Sequence, residues 1–333
     1  MLHGKWVWVW NWRRCLDGDS LAVARRLKDA DCAGVFVKVG DGGHDFGQGA
    51  PIAEIIASLQ AAGVQAVPWF YWYLYDEPLY CYGAQALTWQ EEAENLIATC
   101  VRLGAAAAVI DIEAESEKAA DPEANAYRAL SLVKARLPDL DLYYAPLAQP
   151  NYHRRLPYRV FNRYCRAALP QAYHNAMQVA PEEAIALCYD AFAAEGLLTV
   201  PLAPAGGAYG SVTPEELGRW ACAAVERGAR MLSWWSFEHI EEECPQLWEA
   251  IARVELPQPE ETEMDEDVRK QAQACAVRQR LAGLILSGDP PLAEQAYREM
   301  QYLRLLSGLP LVPEKGESAA PDPPPVDSAI ALL

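Results

Sequence analysis

At 333 residues and 52% hydrophobic, the chain is long enough for one large core plus an extension. A formal net charge of −18 excludes the basic stripe that nucleic acid or an anionic membrane surface requires, so neither is an expected partner. Nine Cys form no C-x-x-C pair and no regular spacing, which excludes a disulfide framework and reads as thiols in a reducing compartment.

The N-terminus MLHGKWVWVW lacks the basic region, apolar helix and cleavage site of a signal peptide, and reads as a strand. The expected location is therefore cytoplasmic as synthesised, with later release to a cell wall or incorporation in a virion-like assembly. Short apolar runs then alternate with amphipathic stretches, the pattern of βα units. The first run, 5–12, precedes a helix at 19–30, and the second, 34–40, a helix at 52–62 closed by Gly63. A third run at 65–73 leads past Asp76, Glu77 and Pro78 into a helix at 88–103. The fourth run, 105–115, reads AAAAVIDIEAE and is followed by a helix at 122–137. The fifth strand is predicted at 141–145 and its helix within the basic stretch 150–166. Strand six falls at 167–173 with a helix at 181–194, and strand seven at 197–203. The loop 204–212 then enters a helix opened by Thr213, Pro214 and Glu216, a capping box. Strand eight at 230–237 and a helix at 244–254 complete the pattern.

Eight strands with eight crossovers predict an α/β fold, a (β/α)8 TIM-like barrel over residues 1–256. An acidic linker follows at 257–266, then a helical hairpin extension at 267–308 and a Pro-rich disordered tail at 309–333. The extension has too few apolar residues for its own core, so it is expected to self-associate or to dock on the barrel or a protein partner.

Alternate positions on a strand share a face, so Asp111, Glu113 and Glu115 would crowd together at the barrel mouth. Desolvation and mutual repulsion there can split their pKa values, leaving one acid protonated and another ionised. These three are the catalytic candidates. Other strand ends converge on the same mouth and supply candidate substrate-binding residues: Asn11, Asp41 after Lys38, Tyr71, Tyr73, Tyr143, Gln171, Tyr173, Trp235 and Glu238. Acids walled by aromatic rings point to a carbohydrate polymer as substrate. The glycine-rich run at 206–210 lacks dinucleotide-fingerprint spacing and reads as a flexible loop over the site. The five His show no metal-ligand spacing, so no metal and no cofactor are expected.

Residues 36–42, FVKVGDG, resemble the second-strand pattern of family 25 glycoside hydrolases, the lysozyme-type muramidases. Asp45-Phe46, Ala62-Gly63-Val64 before the aromatic run 68–73, Gln85-Ala86 and Ile110-Asp111-Ile112-Glu113 resemble the segments that follow, so the resemblance covers residues 1–115. It implies retaining hydrolysis of a β-linked N-acetyl amino-sugar polymer, peptidoglycan-like, with Glu113 as general acid. Asp111 would orient the acetamido group or stabilise the oxocarbenium-like centre, and Tyr73, Tyr143 and Trp235 would form the sugar platform. Asn11 stands where the family usually carries Asp, and SWWSFEH at 233–239 stands where it carries another. A Trp followed by an acid on the eighth strand is instead similar to the family 18 chitinase type. Glu115 stays a rival to Glu113 as the acid. Two functions remain open: a cell-wall glycosidase, phage-related in origin, and a barrel without chemistry that binds sugar or serves a larger assembly.

Overall fold

The computed structural model describes residues 2–47, 50–81 and 84–257. The expected helical hairpin, the tail and all but the first residue of the linker lie outside them.

Five parallel strands run side by side in the order of the chain: Gly4–Val9, Gly34–Asp41, Gln65–Trp72, Ala107–Ile112 and Asp141–Pro146. On the other flank of the first strand lies the eighth, Met231–Trp235, and beside that the seventh, Ala205–Gly207. The ring closes through a sixth stave in which Ala168 bridges Tyr144 and Leu202, and Gln171 bridges Leu147 and Ala205. The expected TIM-like barrel is therefore present. Its sixth and seventh staves carry Pro170, Pro201 and Pro204, which have no N–H to donate, so single bridges stitch them where the other strands form ladders.

This stitching moves one boundary. The seventh strand lies at Ala205–Gly207 and not at 197–203, and the glycine run expected as a flexible loop begins as barrel wall, paired to Ser233, Trp234 and Trp235. Glycine is needed there for close approach: a Cβ on Gly207 would lie 2.3 Å from Asn175 Oδ1.

The crossover helices follow from their end signals. Trp89–Leu103 and Pro214–Glu226 open with capping boxes, Thr88 with Glu91 and Thr213 with Glu216. Pro122–Arg136 and Pro181–Ala194 begin with proline, and Asp19 caps Ser20–Asp29. The fifth helix is short, Tyr158–Tyr164 within the stretch assigned to it, and Leu247–Arg253 is the last.

Strand alternation divides the apolar residues into two cores. Val7, Val9, Val35, Val37 and their like face the helices, while Trp6, Trp8, Phe36, Val67, Trp69 and Val109 fill the barrel. Trp6 stacks on Phe36 with centroids 4.7 Å apart, and Trp8 meets Trp69 edge-on at 5.5 Å. Opposite these rings staves five and six bring in Tyr143 and Leu169 as well as Ala167, but the inward residue of stave five in register with Asp111 is small, Ala145. That asymmetry leaves room on one side of the mouth.

The second strand contains a bulge. Lys38 pairs with Trp69, Gly40 with Phe70 and Asp41 with Tyr71, so Val39 is an extra residue. Without it Lys38 and Asp41 would face opposite sides; with it they share one. A Cβ on Gly40 would lie 2.4 Å from the Phe70 ring, so only glycine fits at this turn of the strand.

Candidate active site

Asp111 lies in register with Tyr71 on one side and Ala145 on the other, near the mouth end of the fourth strand. The strand ends at Ile112, but the backbone of Glu113 is still extended (φ −127°, ψ −169°), so its side chain follows Asp111 onto the same face. Gln171, from the sixth stave, holds the two acids together. Its Nε2 donates to Asp111 Oδ1 at 3.0 Å and to Glu113 Oε1 at 2.9 Å. Two bonds to one nitrogen keep those oxygens no more than 5.9 Å apart. A cavity of about 260 Å³ opens at this point, lined by Trp8, Asp111, Glu113, Ala145, Gln171, Tyr173 and Trp235.

Burial, then the charge of Glu113, pushes the Asp111 carboxyl well above the usual range, against the pull of Lys38 and Gln171. Burial also raises Glu113; Gln171 opposes this, the charge of Glu115 adds to it, and Lys38 and His153 oppose it more weakly. Two buried carboxyls this close do not hold two charges at modest cost, so they titrate as a pair and share a proton above the usual carboxylate range.

Glu115 is placed differently from its two neighbours. It belongs to the 3-10 turn Ala114–Lys118, where strand alternation no longer applies, and accepts a hydrogen bond from the Tyr71 hydroxyl at 2.7 Å. Tyr71 and Tyr73 pack at 5.0 Å, and the Tyr73 hydroxyl donates to Asp41 Oδ1 at 3.2 Å. The other Asp41 oxygen lies 2.6 Å from Lys38 Nζ. Trp235 stands over Trp8 and Trp69 at 6.3 and 5.9 Å, giving the cavity an aromatic side.

Three candidates sit away from the acids. Tyr143 is opposite Val109, one inward layer below Asp111, and its buried hydroxyl accepts from the Leu2 N–H at 2.9 Å, at the other end of the barrel. Ala145 takes the mouth position instead, and the platform of Tyr73, Tyr143 and Trp235 is not assembled. Asn11 caps the 3-10 turn Trp12–Arg14, accepting from the Arg13 N–H at 3.2 Å. Glu238 is fully buried, and its Oε1 accepts the N–H groups of Trp10 and Asn11 at 2.9 and 2.6 Å. It fastens the chain that leaves the first strand and offers no rim group to a substrate.

Trp8, Ala145 and the charge of Lys38 are the additions the structure makes. Trp8 shares its face with Trp6, which strand alternation could have shown; the height of Ala145 and the inward turn of Asp41 depend on register and bulge. Among the described residues, no group of His, Cys, Asp and Glu is arranged to hold a metal ion, and no helix is long and apolar enough to cross a membrane.

No family model matches the sequence, and no curated protein matches it. Solved structures do resemble it in fold. A chitinase from Rhizomucor miehei superposes with a TM-score of 0.55 at 11% identity, covering 76% of this chain and 100% of its own. A family 18 chitinase from the chitin-utilisation locus of Flavobacterium johnsoniae gives 0.52 at 10%, covering 76% and 93%. An endocellulase from Pyrococcus horikoshii gives 0.52 at 10%, covering 76% and 92%. At these identities the likeness is one of fold, a TIM-like barrel of the kind glycoside hydrolases use. It shows no particular family, and the family 25 resemblance drawn from residues 1–115 gains no support from it.

Proposed function

We propose that the protein is a retaining glycoside hydrolase acting on β-linked N-acetyl amino-sugar polymers, chitin-like or peptidoglycan-like. The observation that carries this reading is the pairing of Asp111 and Glu113 by Gln171 beside an aromatic-lined cavity. Glu113 is the general acid: burial raises its carboxyl above the usual range, and it lines the cavity where a glycosidic oxygen would sit. Burial raises Asp111 further than Glu113, so the two share one proton; when it sits on Glu113, Asp111 is the carboxylate that stabilises the positive charge developing at the sugar or orients the acetamido group. The two oxygens that Gln171 holds lie no more than 5.9 Å apart, closer than the about 6.5–9.5 Å between the carboxyls of an inverting pair, which favours retention. Trp8, Trp235 and Tyr173 supply apolar faces for a sugar ring. The chitinase names of the fold neighbours favour N-acetylglucosamine units as the repeating sugar.

The test is incubation of the full chain with N-acetylglucosamine oligomers and with purified bacterial walls. The expected result is cleavage, with the first product in the β configuration by proton NMR before mutarotation. Binding without cleavage of either material would favour a sugar-binding barrel without chemistry.

A further inference from the structure

Lys38 is a cation placed among acids inside the barrel mouth. Its side chain is 11% exposed, and its ammonium lies 2.6 Å from Asp41 Oδ2. Three rings fix it in addition, those of Phe46, Trp69 and Tyr71, with centroids 4.3, 4.9 and 5.4 Å away. The bulge at Val39 is what brings Asp41 to its side, and Asp41 is in register with Tyr71, which is in register with Asp111. So the fold spends an irregularity on this pairing, one strand removed from the two acids.

We propose that Lys38 is a positioning residue of this site, acting through Asp111 and Glu113 to keep one of them ionised while the other keeps its proton. This deepens the hydrolase reading and rests on it for its catalytic meaning, though its electrostatic content stands separately. The groups that bear on the pair come from every side. Asp41 lies on the second strand, Tyr71 on the third, Glu115 on the turn after the fourth, His153 on the loop after the fifth and Tyr173 after the sixth stave. Glu92, from the helix Trp89–Leu103, bears on Asp41. Of these the acids favour protonation of the pair, while the phenols are neutral in this range and add no charge. Lys38 opposes it at both acids, whereas His153 opposes it at Glu113 and is itself 3.3 Å from Glu117 Oε2. In a low-dielectric mouth a fixed positive charge favours the ionised form of the carboxyls near it.

The alternative is an ordinary structural ion pair, and the signs of two substitutions separate the two. Lys38→Met keeps the bulk and removes the charge, so the pH at which the Asp111–Glu113 pair gives up its proton should rise by about 1 unit. Asp41→Asn removes a neighbouring negative charge and leaves Lys38 uncompensated, so the same midpoint should fall. Lys38→Arg should restore the wild-type midpoint. The readout is carbon-13 NMR of the side-chain carboxyls of the full chain against pH, accompanied by the pH–rate profile on N-acetylglucosamine oligomers. Unmoved midpoints in folded Lys38→Met, or shifts of the same sign in both variants, would overturn the proposal. If Lys38→Met does not fold, Lys38→Gln takes its place with the same upward shift expected, and an unmoved midpoint in it would overturn the proposal. Opposite shifts in a wild-type protein that cleaves no glycan would uphold the role of Lys38 and remove the hydrolase reading instead.

Discussion

One amide nitrogen, Gln171 Nε2, serves two carboxylates, which makes this residue the most exposed to test by substitution. Replacing it by Leu removes a donor from Asp111 and from Glu113, and hydrogen bonds to charged groups are each worth about 1.5–3 kcal/mol. The expected outcome for Gln171→Leu is a loss of about 10–100-fold in kcat, with the pair holding its proton to higher pH. A pH–rate profile unchanged in position would refute this. Strand alternation was sufficient to put Asp111, Glu113 and Gln171 on inward faces, because a period of two assigns faces without knowing the neighbours. It could not assign height, and so Tyr143 was expected beside acids from which it is one layer removed. Alternation also does not extend past a strand's end: Glu115 looks like the third member of a row, but its backbone has turned.

At the scale of the element, buried glutamates clamp two strand exits. Glu238 holds the N–H groups after the first strand, and Glu92, fully buried in the first turn of Trp89–Leu103, accepts those of Tyr73 and Leu74 at 2.7 and 3.0 Å. Burial pushes the Glu92 carboxyl up to about 8. A folded value above the ordinary glutamate range means that this group's stabilisation is complete below that range and is lost as pH rises toward 8. Glu92→Gln is therefore expected to melt lower than wild type in mild acid, having one acceptor in place of two, and to lose less melting temperature between about pH 5 and 8. Parallel pH slopes for the two proteins in thermal unfolding would contradict this. Helix boundaries with caps, such as Thr213–Pro214–Glu216, were legible because local hydrogen bonding sets them. The seventh strand was misplaced because Pro201 and Pro204 precede it and only three residues of ladder follow, too few to show a period.

For the whole molecule, the alternation of apolar runs and amphipathic stretches sufficed to predict a closed barrel, since parallel strands require crossovers and eight of them close a ring. What it could not show is how the ring is filled. Large rings on strands one, two, three and eight face a small residue, Ala145, in register with Asp111, and the cavity lies at that level. That distribution places the acid pair in a partly dry, partly aromatic recess, where a carboxyl can keep a proton and a sugar ring can rest. The central claim is that Glu113 delivers that proton. The most direct measurement is the kcat of Glu113→Gln against wild type on N-acetylglucosamine oligomers at the wild-type optimum. A fall of about 100-fold or more is expected, with folding and melting temperature preserved; equal rates for the two proteins would exclude Glu113 as the acid.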